Sequence, residues 1–375
     1  MLGWQDHMQD TTPFHQRVPQ ARLNESFKQL RNLPGYAPAK AIIQEHFASF
    51  PDTDGNFVEQ FQSSGFDSRL WELYLFISLS ELGFAVDRPY DRSDFRCRKG
   101  DSLTVWLEAV TVNPSQASGD VSQVEAKGLP LEPRDILRRN RDFVPIKYGS
   151  PLTSKLRQEY WKLDHVEDLP LVLAIADFHG ERSMMWTTTG LMTYLYGFRH
   201  DWRHDDRGHL HVEPLIVGSH RLGSKEIPSG FFFLPGAENM SAVLFSNSGT
   251  ISKFNRMGWL AGHTTEHLHM IRQGTCYNHD PDAVAPLLFQ YEIGDPDYPE
   301  SWAQGLNMYH NPRALHPILY EALPGIAHHT LRNGLMVSEI PHFHPMASHT
   351  VILHENLGKR GEQSLEATTP RGRSS

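Results

Sequence analysis

The feature that most constrains the fold is a nearly continuous apolar run at residues 169–178, Leu-Pro-Leu-Val-Leu-Ala-Ile-Ala-Asp-Phe. Such a run is typical of a strand that is buried on both faces, as in sheets covered by helices on either side. Upstream, residues 68–82 are apolar around most of a helical circumference and contain no helix breaker before Gly83. They therefore predict a buried helix that ends at this glycine.

Three further elements lie between and around these two runs. Residues 84–87 predict a short strand, and residues 103–112, rich in Thr, Val and Trp, predict a longer one. Ser150 and Pro151 suit the N-cap and first turn of a helix that runs to about Leu163. The predicted order of helix, strand, strand, helix and strand indicates an α/β fold with a sheet flanked by helices.

The 375 residues suit one large domain or two ordinary ones. We expect an N-terminal extension at residues 1–60, a core at 61–180, and a mixed α+β region at 181–354. The rest, residues 355–375, has almost no apolar residue to bury, which predicts a disordered tail.

A formal net charge of -9 argues against a protein that coats nucleic acid through its overall charge. A local basic stripe could still contact phosphates, although a solvated helix face is an alternative interpretation. Two cysteines, no visible export signal and no apolar stretch of about 20 residues indicate a cytoplasmic protein outside the membrane. The candidate stripe consists of Arg134, Arg138, Arg139, Arg141 and Lys147.

Three acids within 37 residues suggest a shared cation. Glu72 lies in the middle of the apolar helix, where burial without a partner would cost several kcal/mol. Asp94 precedes the long predicted strand, and Glu108 interrupts its apolar sequence. Hydrolysis of a phosphodiester needs a positioned water and charge stabilisation, which divalent ions held by carboxylates can supply.

At these residues the sequence resembles the PD-(D/E)XK nucleases, which have the restriction-endonuclease-like fold. Glu72 matches the helical acid of that family, Asp94 matches the hairpin Asp, and Glu108 matches the second acid. Ser93 stands where proline is common, and Val110 stands where the motif lysine is expected. Because some members carry this lysine on a neighbouring element, Lys155 on the next helix is the candidate replacement.

The resemblance implies a restriction-endonuclease-like mixed sheet and an endonuclease that hydrolyses nucleic acid, with DNA as the expected substrate. Asp94 and Glu108 would hold Mg²⁺ or Mn²⁺, while Glu72 and Lys155 would assist. Lys155 would orient the attacking water and stabilise the developing charge. Bacterial restriction, phage defence and repair are all compatible roles, with either a homodimer or a partner defence protein. We expect substrate discrimination to come from outside the core.

Each assignment has an alternative. Glu72 could pair with Arg69 one turn earlier, Asp91 rivals Asp94 as the hairpin acid, and Lys155 could be a surface lysine. Asp94 could also be an ordinary turn acid, and Glu108 could be a satisfied strand residue. The missing lysine after Glu108 also leaves open a nuclease fold that binds or assembles without catalysis.

The second half offers two weaker signals. Residues 240–258 run from a strand into a polar turn, where Lys253 and Arg256 could contact phosphates, although such residues also form ordinary turns and caps. The 22 histidines leave open a His-ligated metallohydrolase, although surface histidines are the alternative. The clustered histidines are His209 and His211, then His263, His267 and His269 with Glu266, and finally His342, His344 and His349.

Overall fold

The computed structural model describes residues 12–112, 139–177, 188–265 and 267–354. Within these ranges, no helix combines the length and apolar character that a membrane span requires. The helices are α1 (Glu25–Asn32), α2 (Ala37–Phe47), α3 (Phe57–Phe61), α4 (Phe66–Glu81), α5 (Val144–Leu156), α6 (Thr188–Tyr196) and α7 (Ile251–Leu260).

A mixed sheet of eight strands forms the centre of the protein, in the order β1-β2-β3-β4-β9-β12-β13-β14. Its strands are β1 (Ala85–Asp87), β2 (Phe95–Lys99), β3 (Leu103–Val112), β4 (Leu171–Asp177), β9 (Ala242–Ser246), β12 (Asn307–His310), β13 (Ala327–Arg332) and β14 (Leu335–Glu339). The first three strands form an antiparallel meander, and β3, β4 and β9 run parallel.

The remaining strands form smaller sheets. One antiparallel sheet has the order β11-β10-β15, and two hairpins pair β5 with β6 and β7 with β8. These strands are β5 (Phe198–His204), β6 (Leu210–Ile216), β7 (Ser219–Leu222), β8 (Lys225–Pro228), β10 (Leu268–Cys276), β11 (Leu287–Glu292) and β15 (Pro345–His354).

Every residue of β4 is buried, which confirms the prediction of a strand covered on both faces. Its alternate side chains enter two cores because successive residues of a strand point to opposite faces. The side chains on the face covered by α4 are those of Val172, Ala174 and Ala176. Those on the face covered by α5 and α6 are Leu171, Leu173 and Ile175. The protein is therefore an α/β fold with helices on both faces of a large mixed sheet.

The predicted elements of the first half are mostly present. The apolar helix extends over Phe66–Glu81 and the long strand over Leu103–Val112. The predicted start of the next helix at Ser150 is wrong, because α5 begins at Val144 with Pro145 in its first turn and contains Pro151 inside it. The meander strand Phe95–Lys99 was not predicted as a separate element.

The sheet continues past residue 180, because β9 pairs in parallel with β4 from Val172 to Ala176. Residues 61–180 and 181–354 therefore share one sheet, and each of the two large cores contains residues of both ranges. The N-terminal helices also belong to this body, since Phe27, Ile43 and Phe61 lie in the same core as α4. The expected tail, residues 355–375, lies outside the described residues.

Candidate functional site

Asp94 and Glu108 are brought together by the register of the β2–β3 hairpin. Phe95 pairs with Leu107, so Asp94, which precedes β2, lies opposite Glu108. The backbone N–H of Asp94 donates to Glu108 Oε2 at 3.2 Å, and the N–H of Ala109 donates to Asp94 Oδ2 at 2.7 Å. The buried Ser93 hydroxyl fixes the turn by donating to the Leu107 carbonyl oxygen at 2.9 Å. The two carboxylates are therefore neighbours.

Lys155 reaches this pair from α5. Trp106 and Val110 pack under α5, and Glu108 points to the same face because it is two residues from each of them along β3. The Lys155 ammonium group donates to Glu108 Oε1. The Tyr160 hydroxyl donates to the same oxygen at 2.8 Å. The lysine thus contacts the acid from a neighbouring element, while Val110 remains buried in the core.

Glu72 joins the site through arginines. Its Oε2 accepts from Arg69 Nη1 at 2.6 Å, which confirms the pairing one helical turn apart, and from Arg88 Nη1 at 3.2 Å. Arg88 Nη2 also lies 3.6 Å from Asp94 Oδ1. Arg88 therefore links Glu72 to Asp94, and Glu72 faces two guanidinium groups.

The electrostatics of the site follow from burial. Burial, the Glu108 charge and the Glu72 charge raise the pKa of Asp94 to about 7, against the lowering effects of the Ala109 N–H and Arg88. Burial and the nearby Glu108 charge also raise the pKa of Tyr160 well above its ordinary value, so its phenol stays protonated. A carboxylate held partly protonated by its neighbours is a group whose charge a bound cation would restore.

The two neighbouring carboxylates are the groups of this site that could hold a divalent cation. Among the described residues, no group of three or more His, Cys, Asp or Glu side chains is arranged to hold a metal ion. Mg²⁺, however, is commonly held by one or two carboxylates, with water and substrate phosphates as its other ligands. Asp94 and Glu108 provide hard oxygen donors of this kind, and Glu72 is already committed to Arg69 and Arg88.

The sequence patterns did not single out Tyr160 or Arg88 as residues of the site. Tyr160 follows a left-handed residue, Glu159, and Arg88 follows the short strand β1. Neither belongs to a spacing pattern, because both are brought to the acids by turns. Asp91, the rival of Asp94, is exposed, whereas Asp94 faces Glu108.

Contrary to the prediction from the sequence, the side chains of Lys253 and Arg256 are not exposed to contact phosphates. Lys253 Nζ and Arg256 Nε each lie 2.8 Å from a Glu300 oxygen, and all three side chains are buried. Arg272 Nη1 is 3.2 Å from the same carboxylate. These side chains form a buried ion cluster, because ionised groups shielded from water need partners.

The basic stripe is only partly described. Arg134 and Arg138 lie outside the described residues. Arg139 begins a turn of π-helix at Arg139–Phe143, in which Arg141 is exposed with its Nε 3.5 Å from Asp142 Oδ2. Arg141 is therefore accessible to a ligand.

The clustered histidines do not converge on one point among the described residues. His211 Nε2 lies 3.0 Å and His209 Nδ1 3.6 Å from Asp205 Oδ2 at an exposed turn. His344 is buried and its Nε2 lies 3.2 Å from Asn307 Oδ1, while His349 pairs with a glutamine on the surface. Glu266 lies outside the described residues.

Comparisons with protein-family models, with curated proteins and with solved structures find no match to this chain. The candidate site is therefore defined by its own geometry. That geometry brings Asp94, Glu108 and Lys155 together, with Glu72 joined through Arg88.

Proposed function

We propose that this protein is a metal-dependent nuclease that hydrolyses phosphodiester bonds, with DNA as its expected substrate. The observation that carries the proposal is the convergence of Asp94, Glu108 and the Lys155 ammonium group at the β2–β3 hairpin. The order α4-β1-β2-β3-α5-β4, with an antiparallel meander followed by a parallel strand, supports a restriction-endonuclease-like core.

The roles of the side chains follow from their chemistry. Asp94 and Glu108 would hold Mg²⁺ or Mn²⁺, which when bound polarises the scissile phosphate and lowers the pKa of a water. Lys155 carries a positive charge beside Glu108, where it can orient the attacking water and stabilise negative charge on the phosphate. Glu72 holds Arg88 beside Asp94 and so supports the site indirectly.

The metal site acts on a bond common to all nucleic acids, so it does not choose a sequence. Discrimination between substrates requires contacts with base edges or with the shape of the duplex, made by other parts of the protein. Restriction, phage defence and repair remain equally compatible roles, as do a homodimer and a partner defence protein.

A second candidate is a nuclease fold that binds nucleic acid or a partner without cleaving. The observation that favours it is the balance of charge at the site. Each acid has a basic partner, as Glu72 has Arg69, Asp94 has Arg88 and Glu108 has Lys155. A site whose charges are already balanced has less need of a metal ion.

Cleavage assays distinguish the two candidates. The purified protein is incubated with Mg²⁺, Mn²⁺ or EDTA and with duplex DNA, single-stranded DNA or RNA. We expect metal-dependent cleavage to fall in Asp94→Asn and Glu108→Gln by more than the roughly 10- to 100-fold typical of losing a residue behind a ligand, because each change removes a ligand itself. Asp87→Asn is the matched control, since Asp87 lies on β1 and pairs with Arg96 at the surface.

The melting temperatures of all variants are measured alongside. Equal cleavage by the parent and by the folded Asp94 and Glu108 variants would disprove the proposed site. Metal-dependent binding of nucleic acid without cleavage by the parent would support the non-catalytic candidate.

A further inference from the structure

A sharp turn after α5 places Tyr160 beside Lys155 and Glu108. Glu159 has a φ of 49°, in the left-handed region, and the short 3₁₀ turn Tyr160–Lys162 begins directly after it. This turn brings the Tyr160 ring centroid within 5.8 Å of Lys155 Nζ and its hydroxyl within 3.4 Å. The buried phenol therefore contacts the lysine through both its ring and its oxygen.

The two oxygens of Glu108 have different partners. Oε1 accepts from the Tyr160 hydroxyl at 2.8 Å and from the Lys155 ammonium group. Oε2 accepts only one backbone bond among the described contacts, from Asp94 N at 3.2 Å. Because two donors fill the lone pairs of Oε1, Oε2 is the oxygen left to face a cation beside Asp94.

The phenol proton has two acceptors in range, since Gln158 Oε1 lies 2.5 Å from the same hydroxyl. A hydroxyl donates a single proton, and an ionised carboxylate accepts more strongly than an amide oxygen. The Tyr160 hydroxyl therefore donates its hydrogen bond to Glu108 and not to Gln158. Gln158 can complete the arrangement by turning its amide so that its NH₂ group donates to the phenol oxygen.

We infer that Tyr160 is a positioning residue that orients Glu108 as a single-oxygen metal ligand and holds Lys155 against it. The inference rests on the proposed function, because it assigns a task within the same site. Val110 occupies the motif position from which a lysine would contact this acid, and it is buried in the core under α5. Lys155, on α5, and Tyr160, in the turn after α5, supply the hydrogen-bond donors to Glu108 that a valine at position 110 cannot.

Isothermal calorimetry with Mn²⁺ tests the inference on the full chain. Tyr160→Phe keeps the ring and removes only the hydroxyl. We expect Mn²⁺ to bind about tenfold more weakly, as is typical when a residue that orients a metal ligand is lost. Tyr194→Phe is the matched control. Its buried hydroxyl lies 3.3 Å from Oγ1 of Thr153, which is on α5 like Lys155, and it has no acid as a hydrogen-bond partner among the described residues.

A double-mutant cycle adds a readout that a purely structural role would not move. If Tyr160 acts through Lys155 and Glu108, Tyr160→Phe will change Mn²⁺ affinity less in a Lys155→Met background than in the parent. Additive effects, or equal Mn²⁺ affinity in the parent and Tyr160→Phe, would overturn the inference. Absence of Mn²⁺ binding by the parent would overturn it as well.

The cleavage assay separates this inference from the proposed function. A parent that binds Mn²⁺ yet cleaves no nucleic acid would refute the nuclease, while calorimetry on Tyr160→Phe would still decide the positioning role. With a cleaving parent, the expected signature of Tyr160→Phe is a deficit at low Mn²⁺ that is largely recovered at saturating Mn²⁺. A deficit unchanged by Mn²⁺ concentration would assign Tyr160 a different task.

Discussion

Asp94 has weaker hydrogen-bond and ion-pair partners than the other two acids. Glu72 accepts from two guanidinium groups, and Glu108 accepts from an ammonium group and a phenol. Asp94 accepts one close bond, from the N–H of Ala109, and Arg88 lies 3.6 Å away. Its pKa of about 7, against an ordinary value of 3.8, reflects burial beside two like charges. Near neutral pH, Asp94 therefore gains or loses its proton with small changes in acidity.

This titration predicts a pH-dependent metal affinity. Below pH 7 a cation must displace the Asp94 proton, so Mn²⁺ affinity should fall about tenfold per pH unit between about pH 7 and pH 5. Above pH 7.5 the affinity should level off. Calorimetry from pH 5.5 to pH 8.5 measures this slope, and the Asp94→Asn protein should lose it. A slope retained in that variant would assign the titration to another group.

A buried ion cluster around Glu300 joins helix α7 to strand β10. Lys253 and Arg256 come from α7, Arg272 comes from β10, and Glu300 lies in the segment before β12. Three cations surround one carboxylate with all four side chains almost fully buried. Arg256, Lys253 and Arg272 hold the pKa of Glu300 well below its ordinary value despite the opposing effect of burial. The carboxylate is thus the charge on which the cluster depends.

Glu300→Gln should therefore destabilise the protein strongly. It leaves three buried cations without a counter-charge, and breaking a buried ion pair typically costs about 3–5 kcal/mol. Chemical denaturation monitored by circular dichroism measures the change. Glu292→Gln is the matched control, because Glu292 is an exposed acid on β11 whose partner His269 lies 3.6 Å away. A loss of less than about 1 kcal/mol would mean that water or another group compensates the cations.

The elements differed in how well sequence patterns predicted them. The strand Leu103–Val112 was predictable because β-branched and aromatic residues dominate it. The strand Phe95–Lys99 was not, because its alternating pattern has only two apolar residues and directly follows a stretch rich in turn-forming residues. Ser150 and Pro151 mimic a helix start, although tertiary packing carries α5 through them. The convergence of the acids could be anticipated from motif spacing, whereas Tyr160 depends on a turn that spacing does not encode.

At the scale of the whole molecule, the central sheet crosses the division near residue 180. A chain truncated after residue 180 should fail to melt cooperatively, because β4 would lose β9 and the core would lose Val243 and Phe245. A chain truncated after residue 354 is the control and should melt like the parent. Differential scanning calorimetry makes the comparison. A cooperative transition in the shorter chain would contradict this expectation. The shorter chain could then be assayed directly to test whether substrate discrimination comes from outside residues 61–180.

The pairing of β4 with β9 also bears on how the chain is made. Residue 177 ends β4 and residue 242 begins β9, so 64 residues lie between the two partners. At a synthesis rate of about 5–20 residues per second, the ribosome takes roughly 3–13 s to deliver β9 after β4. During that interval an apolar strand presents an open hydrogen-bonding edge to other nascent chains. Slower translation before residue 242 would prolong this exposure, so we expect the yield of folded protein to depend on the speed of synthesis as well as on its final stability.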